Sequence, residues 1–333
     1  MSHPQPLLSV QNLSVEFQTR QGSARVLNGV SFSLERGQTL ALVGESGCGK
    51  SVTALAVMRL IAEPPGRVAS GRVLLDGRDL LGVSEPDMRK VRGNRISMIF
   101  QEPMTSLNPA YTVGNQIAEA VHLHQGGSWG AAMAQAADML EAVGIPAPRR
   151  RVHEYPHQFS GGMRQRVMIA MALACKPDVL IADEPTTALD VTVQAQIFDL
   201  IADLRERTGT AVLLITHDMG AVAEMADRVA VMYAGHIVED GDVREILQSP
   251  LHPYTRGLIA CAPGARTVQA GEYLQEIPGS VPSLLERGVG CLFAQRCSQA
   301  MPRCYQALPP LTRIDAGRSV MCWLHTPAAE GAA

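Results

Sequence analysis

Short apolar runs and stretches of helical spacing alternate along the middle of the chain. Thr39–Val43, Val179–Asp183, Ala211–Thr216 and Arg228–Ala234 read as strands. Several of them are apolar throughout, the pattern of strands buried on both faces of a parallel sheet that helices cover. Between them Ser51–Ala62, Gly130–Val143, Gly162–Ala174 and Val193–Thr208 read as helices. Alternating strands and helices predict an α/β architecture. Residues Leu7 to Leu34 read instead as short strands joined by the polar turn TRQGSAR, so an antiparallel β portion is expected ahead of the α/β core. Beyond Ser249, Pro, Gly and Cys become frequent and the periodicity fades, which puts a boundary near residues 250–260.

Composition narrows the class. At roughly 150 residues per domain, 333 residues suggest about two domains. A hydrophobic share of 46% and a charged share of 18% belong to a folding chain, neither disordered nor fibrous. The longest apolar stretch, Val167 to Cys175, is far below the roughly 20 residues that span a bilayer, so the chain is not expected to cross a membrane alone. Its opening MSHPQPLLSV shows neither the basic start nor the apolar run of a signal peptide, and a cytosolic location is expected. With 29 Lys+Arg against 32 Asp+Glu the formal charge is −3, which supplies no global attraction to nucleic acid or anionic lipid. Of seven cysteines, Cys48, Cys175 and Cys261 are scattered, whereas Cys291, Cys297, Cys304 and Cys322 crowd near the C-terminal end. That crowding marks a separate C-terminal unit, and in a cytosolic chain it does not suggest disulfides.

Two segments carry phosphate chemistry. Gly44, Glu45, Ser46, Gly47, Cys48, Gly49, Lys50 and Ser51 follow the pattern Gly, four residues, Gly, Lys, Ser/Thr between an apolar strand and an amphipathic helix. The glycines permit a tight loop whose N–H groups face an anion, and the helix adds its positive dipole end. Lys50 is then placed for β- and γ-phosphate oxygens and Ser51 for Mg²⁺. The second segment, DVLIADEP, ends an apolar strand in Asp183, a Mg²⁺ ligand directly or through water, followed by Glu184, which can take a proton from the attacking water. An isolated acid pair at a strand end would more simply cap the next turn; the phosphate loop upstream favours the catalytic alternative.

Residues 159–163, FSGGM, set Ser160, Gly161 and Gly162 at the start of an apolar helix, a second anion-binding N-terminus. Here the chain resembles the ATP-binding subunits of ABC transporters, whose signature motif it follows with Phe159 for the usual Leu and Met163 for the usual Gln. The resemblance implies a P-loop NTPase cassette with a RecA-like core, an antiparallel β portion and a helical subdomain at about 88–176, in which two subunits sandwich ATP head to tail. It further implies that Gln101 is the Q-loop glutamine contacting Mg²⁺ and the attacking water. Ala188, Leu189 and Asp190 would form the D-loop, His217 would be the γ-phosphate-sensing switch, and Phe17 would stack on adenine, a position where a core Phe fits equally well.

More specifically, MTSLNP (104–109), YPHQFSGGMRQRVMIAMALAC (155–175), EPTTALDVTVQAQI (184–197) and HPYTRGL (252–258) resemble the ATPase subunits of dipeptide and oligopeptide importers. The implied layout is a cassette at 1–255 and a C-terminal extension at 256–333. The implied cofactors are ATP and Mg²⁺. The implied partners are a homologous second ATPase in a heterodimer, two transmembrane permeases and an extracytoplasmic substrate-binding protein, with no nucleic acid. The implied location is the cytoplasmic face of the inner membrane, and nickel, glutathione or haem are alternative cargoes. The spacing C-x5-C-x6-C-x17-C lacks paired CxxC knuckles, yet four thiolates suffice for zinc or a [4Fe–4S] cluster, and free thiols are the third alternative. The resemblance favours the cluster. A soluble ABC ATPase acting on nucleic acid or ribosomes would carry two cassettes or a coiled-coil insertion, neither of which is seen. An iron or redox sensor with secondary ATPase activity is the remaining alternative.

Overall fold

The computed structural model describes residues 5–101, 106–186, 191–262, 276–282 and 288–327. They fall into two compact units. One is drawn from Met1–Leu8, Leu34–Gln38 and Leu75–Leu214, the other from Ser9–Ser33, Thr39–Leu74 and Ile215–Ala333.

In the first unit the strand Ile96–Ile99 pairs in parallel with Val179–Asp183, Ile96 opposite Val179 and Ile99 opposite Ala182. The strand that begins at Ala211 is the next neighbour of Val179–Asp183. All of these positions are buried, as continuous apolar runs require. Three of the longer helices of this unit start at hydroxyl caps. Thr112 accepts from Asn115 N–H at the head of Val113–Gln125, Ser128 from Ala131 N–H at Trp129–Ala142, and Ser160 from Met163 N–H at Gly161–Leu173. The sequence reading anticipated the second and third of these and Val191–Thr208, each within two residues at either end. It missed Val113–Gln125, whose buried face is only Val113, Gly114, Ile117, Ala118 and Val121 between polar residues.

In the second unit the strands Leu8–Thr19 and Gly22–Leu34 are neighbours joined by two residues, a connection that only antiparallel strands allow, and Gly66–Leu75 lies beside Leu8–Thr19. The antiparallel portion is therefore present, with longer strands than the sequence suggests. Thr39–Val43 pairs in parallel with Arg228–Tyr233, to which His236–Asp242 and then Ser319–Val320 add antiparallel. The first helix, Lys50–Val57, stops short of the expected Ala62. Arg59 takes a left-handed φ of 51° just beyond it, and Pro64 disfavours helix at the residue before it. The C-terminal segment is stitched into this unit by an ion pair shielded from water. Arg318 Nη2 donates to Glu239 Oε1 at 2.9 Å, with 8% and 0% of the two side chains exposed.

His252 caps the helix Pro253–Ala260, its Nδ1 accepting from Tyr254 N–H at 3.0 Å. Burial holds its pKa down to about 4, against a smaller opposing pull from Glu239, with His325 and Arg256 adding to the depression. The unfolded chain takes up the proton that folded His252 refuses. Its contribution is therefore complete above about pH 6.5 and is lost as pH falls towards 4, on the order of 3 kcal/mol in all. Urea melts between pH 7 and 4 are expected to show this slope, and His252→Asn, which keeps a capping oxygen without the titration, is expected to flatten it.

Candidate functional site

The strand Thr39–Val43 delivers the chain into the phosphate loop, and the helix Lys50–Val57 leaves it. Gly44 and Gly49 have φ of 155° and 110°. A Cβ at Gly44 would lie 2.2 Å from Met232 O, and one at Gly49 2.7 Å from Leu27 Cδ2, so both the backbone angle and the close approach demand glycine. Lys50 is only 5% exposed. Its Nζ donates to Gly44 O at 2.8 Å and Glu45 O at 3.1 Å, which keeps a positive charge folded across the loop. This cradle fits a polyphosphate, for which loop N–H groups, a helix N-terminus and an ammonium converge. Ser51 is half-buried, while Ser46 and Gly47 face solvent. Cys48 is buried, and burial raises its thiol pKa, so it serves as packing.

The two carboxylates lie at the end of the strand Val179–Asp183 and in the turn after it. Asp183 ends its strand 3% exposed. Glu184 follows at φ 46°, a left-handed angle that a side chain adopts at a cost of about 1–2 kcal/mol. Gln101 Nε2 donates to Glu184 Oε2 at 2.9 Å, bringing together two predicted residues 83 positions apart. Gln165, buried on the helix Gly161–Leu173, donates to Pro185 O and so secures the chain just past Glu184. His217 is exposed in the turn between Ala211–Thr216 and Met219–Met225. Asp218 beside it is tied down by donating its N–H to Thr216 Oγ1 at 3.0 Å and accepting from Gly220 N–H at 2.8 Å.

Ser160 and Gly161 are exposed at the head of their helix, and among the described residues beyond that helix no atom lies within 4 Å of a Cβ placed at Gly161. Phe159, the substitution in the signature, is buried with the Arg151 guanidinium 5.6 Å above its ring, so it is a core residue. Phe17 is half-buried, its ring against the backbone of Gly66, where a Cβ would lie 2.8 Å from Cε1. Ala188, Leu189 and Asp190 lie outside the described residues. Gln101, Asp183, Glu184 and Ser160 to Gly162 belong to the first unit; the phosphate loop, His217 and Phe17 belong to the second.

Cys291, Cys297, Cys304 and Cys322 are free thiols and lie near one another. Burial chiefly, and then the neighbouring thiols Cys304, Cys322 and Cys297, push Cys291 up to about 11. Among the described residues, however, no group of three or more His, Cys, Asp or Glu side chains is placed to hold a metal ion. The expected ligand set is therefore gathered in one region without ligand geometry, and as arranged it does not fit a cluster.

Sequence reasoning missed two residues that touch the phosphate loop. Arg296 binds the Glu45 carboxylate from 251 positions away, and Tyr254 Oη accepts from Glu45 N–H at 2.8 Å. No local motif announces either contact.

Residues 27–187 match the ABC transporter family model, and residues 238–304 match the oligopeptide/dipeptide transporter C-terminal region. Over 317 residues the chain is 54% identical to a probable peptide ABC transporter ATP-binding protein of Sinorhizobium fredii, covering 95% of this chain and 94% of that one. The chain belongs to the ABC transporter family. This ABC protein is also 51% identical over 326 residues to a dipeptide transport ATP-binding protein of Bacillus subtilis, covering 98% and 97% of the two chains. Its fold is that of the ABC cassette. A solved dimeric bacterial ABC transporter cassette superposes with a TM-score of 0.64 at 26% identity, covering 71% of this chain and 99% of that one.

Proposed function

We propose that this ABC transporter ATPase energises the uptake of dipeptides and oligopeptides across the cytoplasmic membrane. The observation that carries the reading is the match of residues 238–304 to the oligopeptide/dipeptide transporter C-terminal region, on a chain whose residues 27–187 match the ABC transporter model. Lys50 meets the β- and γ-phosphates, and Glu184, oriented by Gln101, takes the proton of the attacking water. His217 senses the γ-phosphate, and Ser160, Gly161 and Gly162 face the nucleotide of a second ATPase subunit. Asp190 belongs to the same dimer contact, and Phe17 to the adenine. Ser51, and Asp183 with Gln101, are the residues that would hold magnesium, which would supply neutralising charge on the phosphates. A solved cassette of similar fold, 25% identical, was captured as a dimer with ADP and phosphate, which supports a paired arrangement.

Among the described residues no helix is long and apolar enough to cross a membrane. The span is accordingly assigned to two permease partners, with this chain peripheral on the cytoplasmic face and an extracytoplasmic binding protein delivering the peptide. A [4Fe–4S] cluster on Cys291, Cys297, Cys304 and Cys322 is no part of this reading, because among the described residues these side chains are not placed as ligands.

Detergent co-purification from the native membrane tests the assignment. A homologous ATPase and two permeases are expected to accompany the chain, and a binding protein loaded with di- or oligopeptide is expected to raise ATP hydrolysis several-fold. Stimulation only by nickel, glutathione or haem would overturn the peptide assignment and leave the ATPase intact.

A further inference from the structure

The phosphate loop carries an acid, Glu45, among the residues that must receive a polyphosphate. A carboxylate there repels the incoming anion; at about 8 Å and an effective dielectric near 40 the cost corresponds to roughly tenfold in affinity. Arg296, from the C-terminal segment, cancels that charge. Its Nη1 lies 2.7 Å from Glu45 Oε2 and its Nη2 2.9 Å from Oε1, a fork that matches both carboxylate oxygens.

The fork is held rigidly. Arg296 Nε donates to Pro278 O at 2.8 Å, Nη2 also to Ile277 O at 3.2 Å, and Nη1 to Tyr233 Oη at 3.3 Å. The guanidinium lies 5.8 Å from the centroids of the Tyr233 and Phe293 rings, and its side chain is 5% exposed against 28% for Glu45. Those rings continue into Tyr254, whose centroid is 4.6 Å from Tyr233 and 5.4 Å from Phe293. Tyr254 Oη in turn accepts the Glu45 N–H at 2.8 Å. The second residue of the loop is thus gripped by both its side chain and its main chain, from elements beyond residue 250.

We propose that Arg296 is a positioning and charge-compensating residue for nucleotide binding, holding Glu45 neutralised and turned away so that Lys50 sets the charge the phosphates meet. The proposal rests on the assignment of ATP to this loop. A merely structural Arg296 would show its loss in the melting temperature, without a salt-dependent deficit in nucleotide affinity.

The test titrates the full-length chain with a fluorescent MgATP analogue at low and high salt, with circular-dichroism melts as a check on folding. Arg296→Ala is expected to weaken binding about tenfold at low salt and less at high salt, where repulsion is screened. Arg296→Lys, which keeps the charge but not the fork, is expected to fall between the two. Adding Glu45→Gln to Arg296→Ala is expected to restore affinity to within about twofold of the parent. Parent-like affinity in Arg296→Ala, or a double variant as weak as the single one, would overturn the proposal. Should Arg296→Ala fail to fold, the same comparison is made with Arg296→Lys, whose deficit Glu45→Gln must relieve. Lys50→Ala separates the two levels: if it binds as tightly as the parent, the ATP assignment itself fails, whatever Arg296 does.

Discussion

Glu184→Gln is expected to reduce ATP turnover by about 10²–10⁴-fold while nucleotide binding persists. The substitution is nearly isosteric, and the amide oxygen that replaces Oε2 can still accept from Gln101 Nε2, which stands 2.9 Å away. The left-handed backbone at residue 184 is also unaffected, since it follows from the strand end and not from the carboxylate. What disappears is a group able to receive a proton. Single-turnover phosphate release, measured beside a binding titration of the same preparation, separates the two effects. Hydrolysis at the parent rate would remove Glu184 from the role of base.

Arg318→Ala is expected to destabilise the protein by about 3–5 kcal/mol, because it leaves the partner of a buried ion pair uncompensated. Glu239 is fully buried, and its other donors among the described residues are the N–H groups of Leu251 at 2.8 Å and His252 at 2.9 Å. Two neutral donors do not replace a guanidinium in a low-dielectric site. Arg318 also precedes the strand Ser319–Val320, which pairs with Glu239 and Asp240, so the substitution loosens the attachment of the C-terminal segment to the sheet. A urea midpoint shift corresponding to less than about 1 kcal/mol would show that water reaches Glu239 once the arginine is gone. In the same experiment Glu239→Gln together with Arg318→Met is expected to recover much of the loss, since neither charge is then left buried.

Some of this molecule was open to reading in one dimension. Thr39–Val43, Val179–Asp183 and Ala211–Thr216 occupy the expected bounds because a strand covered on both faces must be apolar at every position. The phosphate loop was legible because its glycines answer a local backbone requirement, and Ser160 because a helix start demands a side-chain acceptor. Family resemblance supplied the role expected of Gln101 and the strand-end acid pair that of Glu184; that the two side chains meet at 2.9 Å came only from the structure. Helix ends and weakly apolar helices were less legible. Lys50–Val57 and Val113–Gln125 depend on a turn and on packing that periodicity records only faintly.

The four C-terminal cysteines show the limit from the other side. Their spacing invited a ligand set, yet the distances among side chains on different turns decide whether one forms, and the described geometry does not assemble it. The same holds for Arg296 with Glu45 and Arg318 with Glu239, separated by 251 and 79 positions. An arginine in a loop-rich segment carries no mark of the acid it will meet. The sequence alone determined the α/β alternation, the phosphate loop and the ABC family, because those follow from local periodicity, backbone angles and a compact motif. The tertiary structure alone decided which charges neutralise one another and how the C-terminal segment grips the loop, because such pairings depend on which distant stretches burial forces together.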